Sequence, residues 1–187
     1  MKKLFSLLSV LLILASVEVW SQNTLPDPNI PFDKETQTIK FSRVVQTKGT
    51  KDDLFKRCVY WLNGFYKEPT RVTLIRDVPT GKIVGRHTIP IYQYDSTRQK
   101  KERIAKVYYT FTIKFKDGKY KWQIDQLEVY SRLKSTITDW VNKNDPKYQT
   151  EYKYYLQQIV DFIDYWSKDL EEKMKPEKPA TKEDDDW

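Results

Sequence analysis

Cysteine and histidine are almost missing from this sequence: Cys58 and His87 are each the only one of their kind in 187 residues. A single cysteine excludes an intrachain disulfide and any paired-cysteine metal site, so the apolar core alone must hold the fold. A lone histidine on a β-branched stretch, with no second His or Cys close in sequence, is a poor basis for a metal site or a general base. Glycine is scarce, with five residues beside nine prolines, which excludes a collagen-like or low-complexity chain. No nucleophile elbow, phosphate loop or zinc-binding helix appears. Glu171-Glu172 and Asp184 to Asp186 are clustered acids, but they sit at a helix end and in a tail, where unordered acids bind cations weakly. The expectation is therefore no catalytic residue, no cofactor and no metal. Scattered carboxylates can still converge in space, so a hydrolase stands as a remote alternative.

What the chain does have is aromatic area. Thirteen Tyr and six Trp, in a chain 39% hydrophobic and 32% charged, suit one globular domain with tails. Residues 1–21 read as a secretory signal: Lys2 and Lys3 precede the apolar run Leu4 to Val17, and Val19-Trp20-Ser21 offers a cleavage site before Gln22. The run is short for a bilayer span, which weighs against an uncleaved anchor, and no Cys near the cleavage point suggests a lipoprotein. The expected product is exported, periplasmic or extracellular, soluble, and without a transmembrane segment. Cleavage lowers the formal charge from +7 to +6. The stretch from Glu171 onward carries −3, which leaves +9 on the body. That excess could attract nucleic acid, anionic lipid or acidic polysaccharide, but basic and acidic residues are interspersed, as in a simply soluble surface.

Along the chain, residues 22–39 hold three prolines and several turn-formers and read as an extended leader. FSRVVQT (41–47) reads as a strand. Thr50 is a helix N-cap, with Asp52 and Asp53 in the first turn. Leu54, Cys58, Trp61, Leu62 and Phe65 then mark one helical face that ends before Pro69. Cys58 on that face reads as a buried, inert thiol rather than an intermolecular bridge. RVTLIRDV (71–78) and KIVGRHTIPIYQY (82–94) read as a strand pair about Pro79-Thr80-Gly81; Gly85 marks a bulge or a close backbone approach, and Pro90 an edge or a break. Residues 95–103 (DSTRQKKER) read as a charged loop.

Residues 107–129, VYYTFTIKFKDGKYKWQIDQLEV, form the plainest element. Val107, Tyr109, Phe111, Ile113 and Phe115 share one face; Lys106, Tyr108, Thr110, Thr112, Lys114 and Lys116 share the other. Asp117-Gly118 signals a tight hairpin, for which a type I′ turn needs positive φ at both positions. On the return strand the apolar phase slips by one residue near Asp125-Gln126, which requires a β-bulge. Residues 132–147 read as a turn-rich connection. Tyr152, Tyr155, Leu156, Ile159, Val160, Ile163, Trp166, Leu170 and Met174 then line one face of a long helix, stopped by Pro176. The order strand, helix, four strands, helix implies a two-layer α+β domain over 40–175. It has a five-stranded antiparallel sheet with both helices on one face, followed by an acidic tail over 176–187.

That order, with the stretches GKIVGRHTIPI and YTFTIKFKDGKYKWQIDQL, resembles the domain of unknown function with a TBP-like fold (domain of unknown function 4468) found in exported proteins of Bacteroidetes-type bacteria. The likeness covers roughly residues 40 to 131, with the last helix completing the fold. KDGKY resembles the family's hairpin, with Lys119 where arginine is frequent. The resemblance implies a fold and no activity, substrate or site residue. The acidic tail and the DSTRQKKER loop depart from the family's pattern.

TATA-binding protein grips DNA with the outer face of a similar sheet, using Phe wedges. Here that face would show Tyr108, Thr110, Thr112, Lys114, Lys121, Gln123 and Asp125, with no exposed Phe pair, so nucleic acid is not expected. Two uses remain. In the first, the outer face, through Tyr108, Thr110, Thr112, Lys114, Lys121 and Gln123, or an edge strand, docks another envelope protein. In the second, the long helix arches off the sheet and leaves a cavity lined by Phe111, Trp122, Tyr155 and Trp166 for an apolar small molecule. The first is preferred: a non-catalytic, exported interaction module.

Overall fold

The alternating pattern of residues 101–131 builds the centre of the fold. In a computed structural model, which describes residues 27–33, 35, 38–94, 100–131 and 135–176, strands β6 (Lys101–Lys116) and β7 (Lys119–Ser131) pair antiparallel across the Asp117-Gly118 turn. β5 (Lys82–Tyr94) flanks β6, and β4 (Thr73–Asp77) closes that side. β3 (Phe41–Gln46) closes the other side, so the antiparallel order is β3-β7-β6-β5-β4. A separate pair, β1 (Phe32–Asp33) with β2 (Thr38–Ile39), lies in the stretch expected to be a plain extended leader; Ile39 is buried in the core and anchors it. The expected signal segment and the tail beyond Pro176 lie outside the described residues.

Helix α1 (Lys51–Phe65) starts at a capping box: Asp53 N donates to Thr50 Oγ1 (3.2 Å) and Thr50 N donates to Asp53 Oδ2 (3.1 Å). Pro69 opens a single turn, α2 (Pro69–Val72). The connection after β7 contains an unforeseen short helix, α3 (Ile137–Val141), with its own Thr136/Asp139 capping box and a buried Trp140. The long helix is α4 (Tyr152–Lys173).

α1 and α4 both cover the same face of the sheet. Phe55 of α1 meets Phe115 edge-on at 5.6 Å, while Phe162 and Trp166 of α4 meet Tyr109 and Phe111 at 5.4 and 5.7 Å. Trp61 and Trp166 join the two helices at 5.1 Å, and Trp61 Nε1 donates to Asp169 Oδ2 at 2.7 Å. Three polar rings inside this layer form one chain of bonds: Trp166 Nε1 donates to the Tyr66 hydroxyl (2.7 Å), which lies 3.0 Å from that of Tyr109. Such pairing removes most of the cost of burying them.

The bulge falls where the phase slip requires it. Tyr108 faces Glu128 and Thr110 faces Asp125, so Gln126 and Leu127 together oppose Tyr109. Gln126 takes φ +51°, and both Ile124 and Leu127 reach the buried side. At Gly85 both sequence readings apply. The β4–β5 register shifts between Thr73 and Ile75, and the Phe111 ring lies directly over the glycine backbone.

Three local expectations need correction. The charged loop is shorter than 95–103, because Lys101 to Arg103 pair with Tyr94 to Tyr92; backbone bonds extend the ladder regardless of side-chain charge. Residues 95–99 lie outside the described set. The 71–78 strand begins only at Thr73, since Pro69 opens a helical turn that uses Arg71 and Val72. The hairpin turn is not type I′: Gly118 has φ +74°, but Gln126 is the only non-glycine with positive φ among the described residues. Tertiary ties shape this turn instead. Asp117 Oδ1 accepts from Lys51 N (2.6 Å), and Gly118 bonds both Thr47 and Gly49.

Candidate interaction face

Because both helices lie on one side, the other side of the sheet is covered by no described element. Strand register sorts its side chains into cross-strand rows. One row runs Val44, Lys121, Lys114, Lys82 and Asp77 across all five strands; the next runs Ser42, Gln123, Thr112, Val84 and Ile75. Lys116 and Lys119 face each other at the hairpin end. Lys114, Lys116, Lys119 and Lys121 are exposed and, among the described residues, join no ion pair. Like charges directly opposite each other across strands destabilise a sheet, so this corner runs against the fold's own interest.

The six residues expected on this face are placed unevenly. Thr112, Lys114, Lys121 and Gln123 form one contiguous patch. Tyr108 is half-buried, with the Arg86 guanidinium 5.1 Å from its ring centroid and Arg86 paired to Glu128 at 2.6 Å. Thr110 is not exposed: it is 8% accessible, and its hydroxyl donates to Gln126 Oε1 at 2.8 Å. The bulge causes this by folding the extra residue over the threonine. Sequence reading missed Lys82, Val44 and Ser42, because joining them to the patch needs the registers of β5 and β3, which are pairings between distant segments.

The stretch of β5 beyond β4 is less available than the face. Pro90 lies where β5 extends past the short β4. Two residues on, Tyr92 N donates to Gln158 Oε1 and Gln158 Nε2 donates back to Tyr92 O, both at 2.9 Å. A side-chain amide of α4 thus occupies this edge as a paired strand would.

Phe111, Trp122, Tyr155 and Trp166, expected to line a ligand cavity, are all buried. Trp166 packs on Phe111 and Trp122 at 5.7 and 5.8 Å, so this space is filled by rings. Two open clefts of about 460 and 470 Å³ lie elsewhere. The first runs between α1 and α4. The second lies at the end of α1 and includes His87, whose ring stands 5.1 Å from that of Tyr66. Partial burial lowers the His87 pKa below 6.5. Among the described residues no group of three or more His, Cys, Asp or Glu side chains is arranged to hold a metal ion. Cys58 is fully buried and its thiol pKa is pushed far up by desolvation, as its helical position implied.

A five-stranded antiparallel sheet backed on one face by helices is the architecture of TBP-like α+β domains. A crystal structure of a TBP-like protein from Parabacteroides distasonis is similar over 73% of this chain and 92% of its own, with TM-score 0.59 and 14% identity. A DUF4468 family protein from Bacteroides ovatus is similar over 81% of this chain and 94% of its own, with TM-score 0.60 and 18% identity. No curated protein matches the sequence. Residues 41–131 match the model of a family described as a domain of unknown function (DUF4468) with TBP-like fold. Among the described residues, no helix is long and apolar enough to cross a membrane.

Proposed function

We propose that this protein is an exported, non-catalytic interaction module of the cell envelope, and that it docks a partner protein on the open face of its sheet around Thr112, Lys114, Lys121 and Gln123. One observation carries this reading: a contiguous face, polar and cationic with exposed Val44 and Ile75 at its margins, is covered by no described element. Functional faces of this kind mix hydrogen-bonding groups with a few apolar anchors. The signal-like segment 1–21 supports export. The ring-filled core supports docking over ligand carriage, since the space that a small apolar molecule would need is taken. Structural bonds engage several of the acids: Asp53 and Asp139 cap helices, Asp169 holds Trp61, and Glu171 pairs with Arg43 at 3.1 Å.

The test is retention of envelope proteins from the native host by the full chain and by a Thr112→Glu/Lys121→Glu variant. A defined protein held by the wild type and lost with the variant is expected. Equal retention by both, with the fold intact by circular dichroism, overturns the reading.

A further inference from the structure

We propose that the lysine corner of the outer face has an occupant within the same chain: the acidic segment Glu183-Asp184-Asp185-Asp186. The inference rests on the outer face being a docking surface in one respect, that the segment competes there with the partner. Charge complementarity is the first support. Lys82, Lys114 and Lys121 stand side by side on three neighbouring strands, with Lys116 and Lys119 one row nearer the turn, and four consecutive acids are the chain's densest run of opposite charge. Four of these lysines lie within one hairpin, and the β5–β6 register adds Lys82 to them.

The place where the described chain stops is the second support. Met174 is fully buried, and its carbonyl accepts from Thr47 Oγ1 (3.3 Å) and from Arg57 (3.2 Å). Thr47 N in turn donates to Gly118 O (3.0 Å), in the turn that joins the two lysine-bearing strands. Pro176 is therefore at the hairpin end of the sheet, beside edge strand β3, whose outward Val44 and Gln46 lead directly to Lys121 and Lys119.

Length is the third support. Glu183 is seven residue steps beyond Pro176, a reach of about 23–25 Å when extended. Rounding the edge of one sheet takes about 10 Å and crossing from β3 to β6 two strand spacings, again about 10 Å. The four acids arrive over the lysines with little slack. Bound there, the segment offsets the repulsion within the row and screens the face from other partners until salt or a stronger binder displaces it.

Carbodiimide cross-linking of the full chain, read by peptide mass spectrometry, tests this directly. In an equal mixture of ¹⁴N and ¹⁵N protein, isopeptide links should join Glu183 to Asp186 with Lys82, Lys114, Lys116, Lys119 or Lys121. They should form within single copies, several-fold more often than to Lys56 or Lys168 on the helix side. Raising the salt to about 0.5 M, where charges more than a few ångströms apart are screened, should remove the preference. Links spread evenly over all lysines, or formed only between copies, overturn the proposal. A Glu183→Gln/Asp184→Asn/Asp185→Asn/Asp186→Asn variant should retain several-fold more partner; unchanged retention overturns the competition. Should the links fail while partner retention still depends on Thr112 and Lys121, the tail inference falls and the docking function stands. Should the links form while retention ignores the outer face, the docking function falls alone.

Discussion

Gly85→Ala is the substitution for which the geometry allows the firmest magnitude. A Cβ at this position would lie 2.2 Å from Phe111 Cζ, 2.4 Å from Cε1 and 2.9 Å from the Val72 carbonyl oxygen. Relaxed carbon contacts sit near 3.5–4.0 Å, so the ring would have to retreat by roughly 1.3 Å or more. It has nowhere to go: Phe111 is fully buried, stacked on Tyr66 at 5.9 Å and packed on Trp166 at 5.7 Å. Overpacking of a closed core costs about 1–3 kcal/mol, and the backbone carbonyl on the other side places this case near 3. For a chain of this size that lowers Tm by about 6–12 °C. Urea denaturation followed by tryptophan fluorescence gives the number, and Phe111→Leu supplies the control. Removing the outer ring atoms should cut the cost of Gly85→Ala by at least about 1 kcal/mol, a coupling read from the double-mutant cycle. A cost under about 0.5 kcal/mol, or one unchanged by Phe111→Leu, refutes the claim that ring and glycine are locked together.

The remaining predictions concern buried hydroxyls. Tyr120 is the one buried side chain among those described whose polar atom has no partner, so Tyr120→Phe should stabilise by about 1 kcal/mol. Tyr66→Phe should cost about 2–3 kcal/mol, because it strands the Trp166 indole and the Tyr109 hydroxyl; denaturation midpoints moving in the opposite directions contradict both. Burial raises the phenol pKa of Tyr66, Tyr109 and Tyr120 above the ordinary 10.0. The folded state therefore holds these protons more tightly than the unfolded state. Their contribution is complete below pH 10.0 and is lost as pH climbs through the folded values. Urea midpoints should fall steadily above about pH 10, less steeply in Tyr120→Phe, and a flat profile up to about pH 11.5 contradicts this.

How far the sequence spoke depended on the range of the interaction. The bulge at Gln126, the Thr50 cap and the burial of Cys58 were legible because each follows from periodicity or capping within a dozen residues. Gly85 was legible as a backbone approach, but its partner Phe111 lies on another strand and its identity needed the register. Trp140 was missed although Thr136-x-x-Asp139 announces a capping box, since the surrounding turn-formers mask a helix of barely one turn. Thr110 was assigned to the open face by alternation alone; the side chain of the bulged residue then closed over it. The lysine corner is the clearest case of the limit. Four of its members, Lys114, Lys116, Lys119 and Lys121, lie in the hairpin that the Asp117-Gly118 turn announces, whereas Lys82 joins them only through the β5–β6 register, which local pattern does not encode.

The claim on which the rest depends is that the sheet is dry on the helix side and open on the other. Cysteine scanning along β6, with native Cys58 as the buried reference, tests it most directly through maleimide labelling of the purified chain. Thr112→Cys and Lys114→Cys should react at the rate of a free thiol, while Ile113→Cys, Phe115→Cys and Cys58 should label only on unfolding by urea. Equal labelling at neighbouring positions, or fast labelling at 113 and 115 in a folded chain, would contradict the two-sided sheet and the docking face with it.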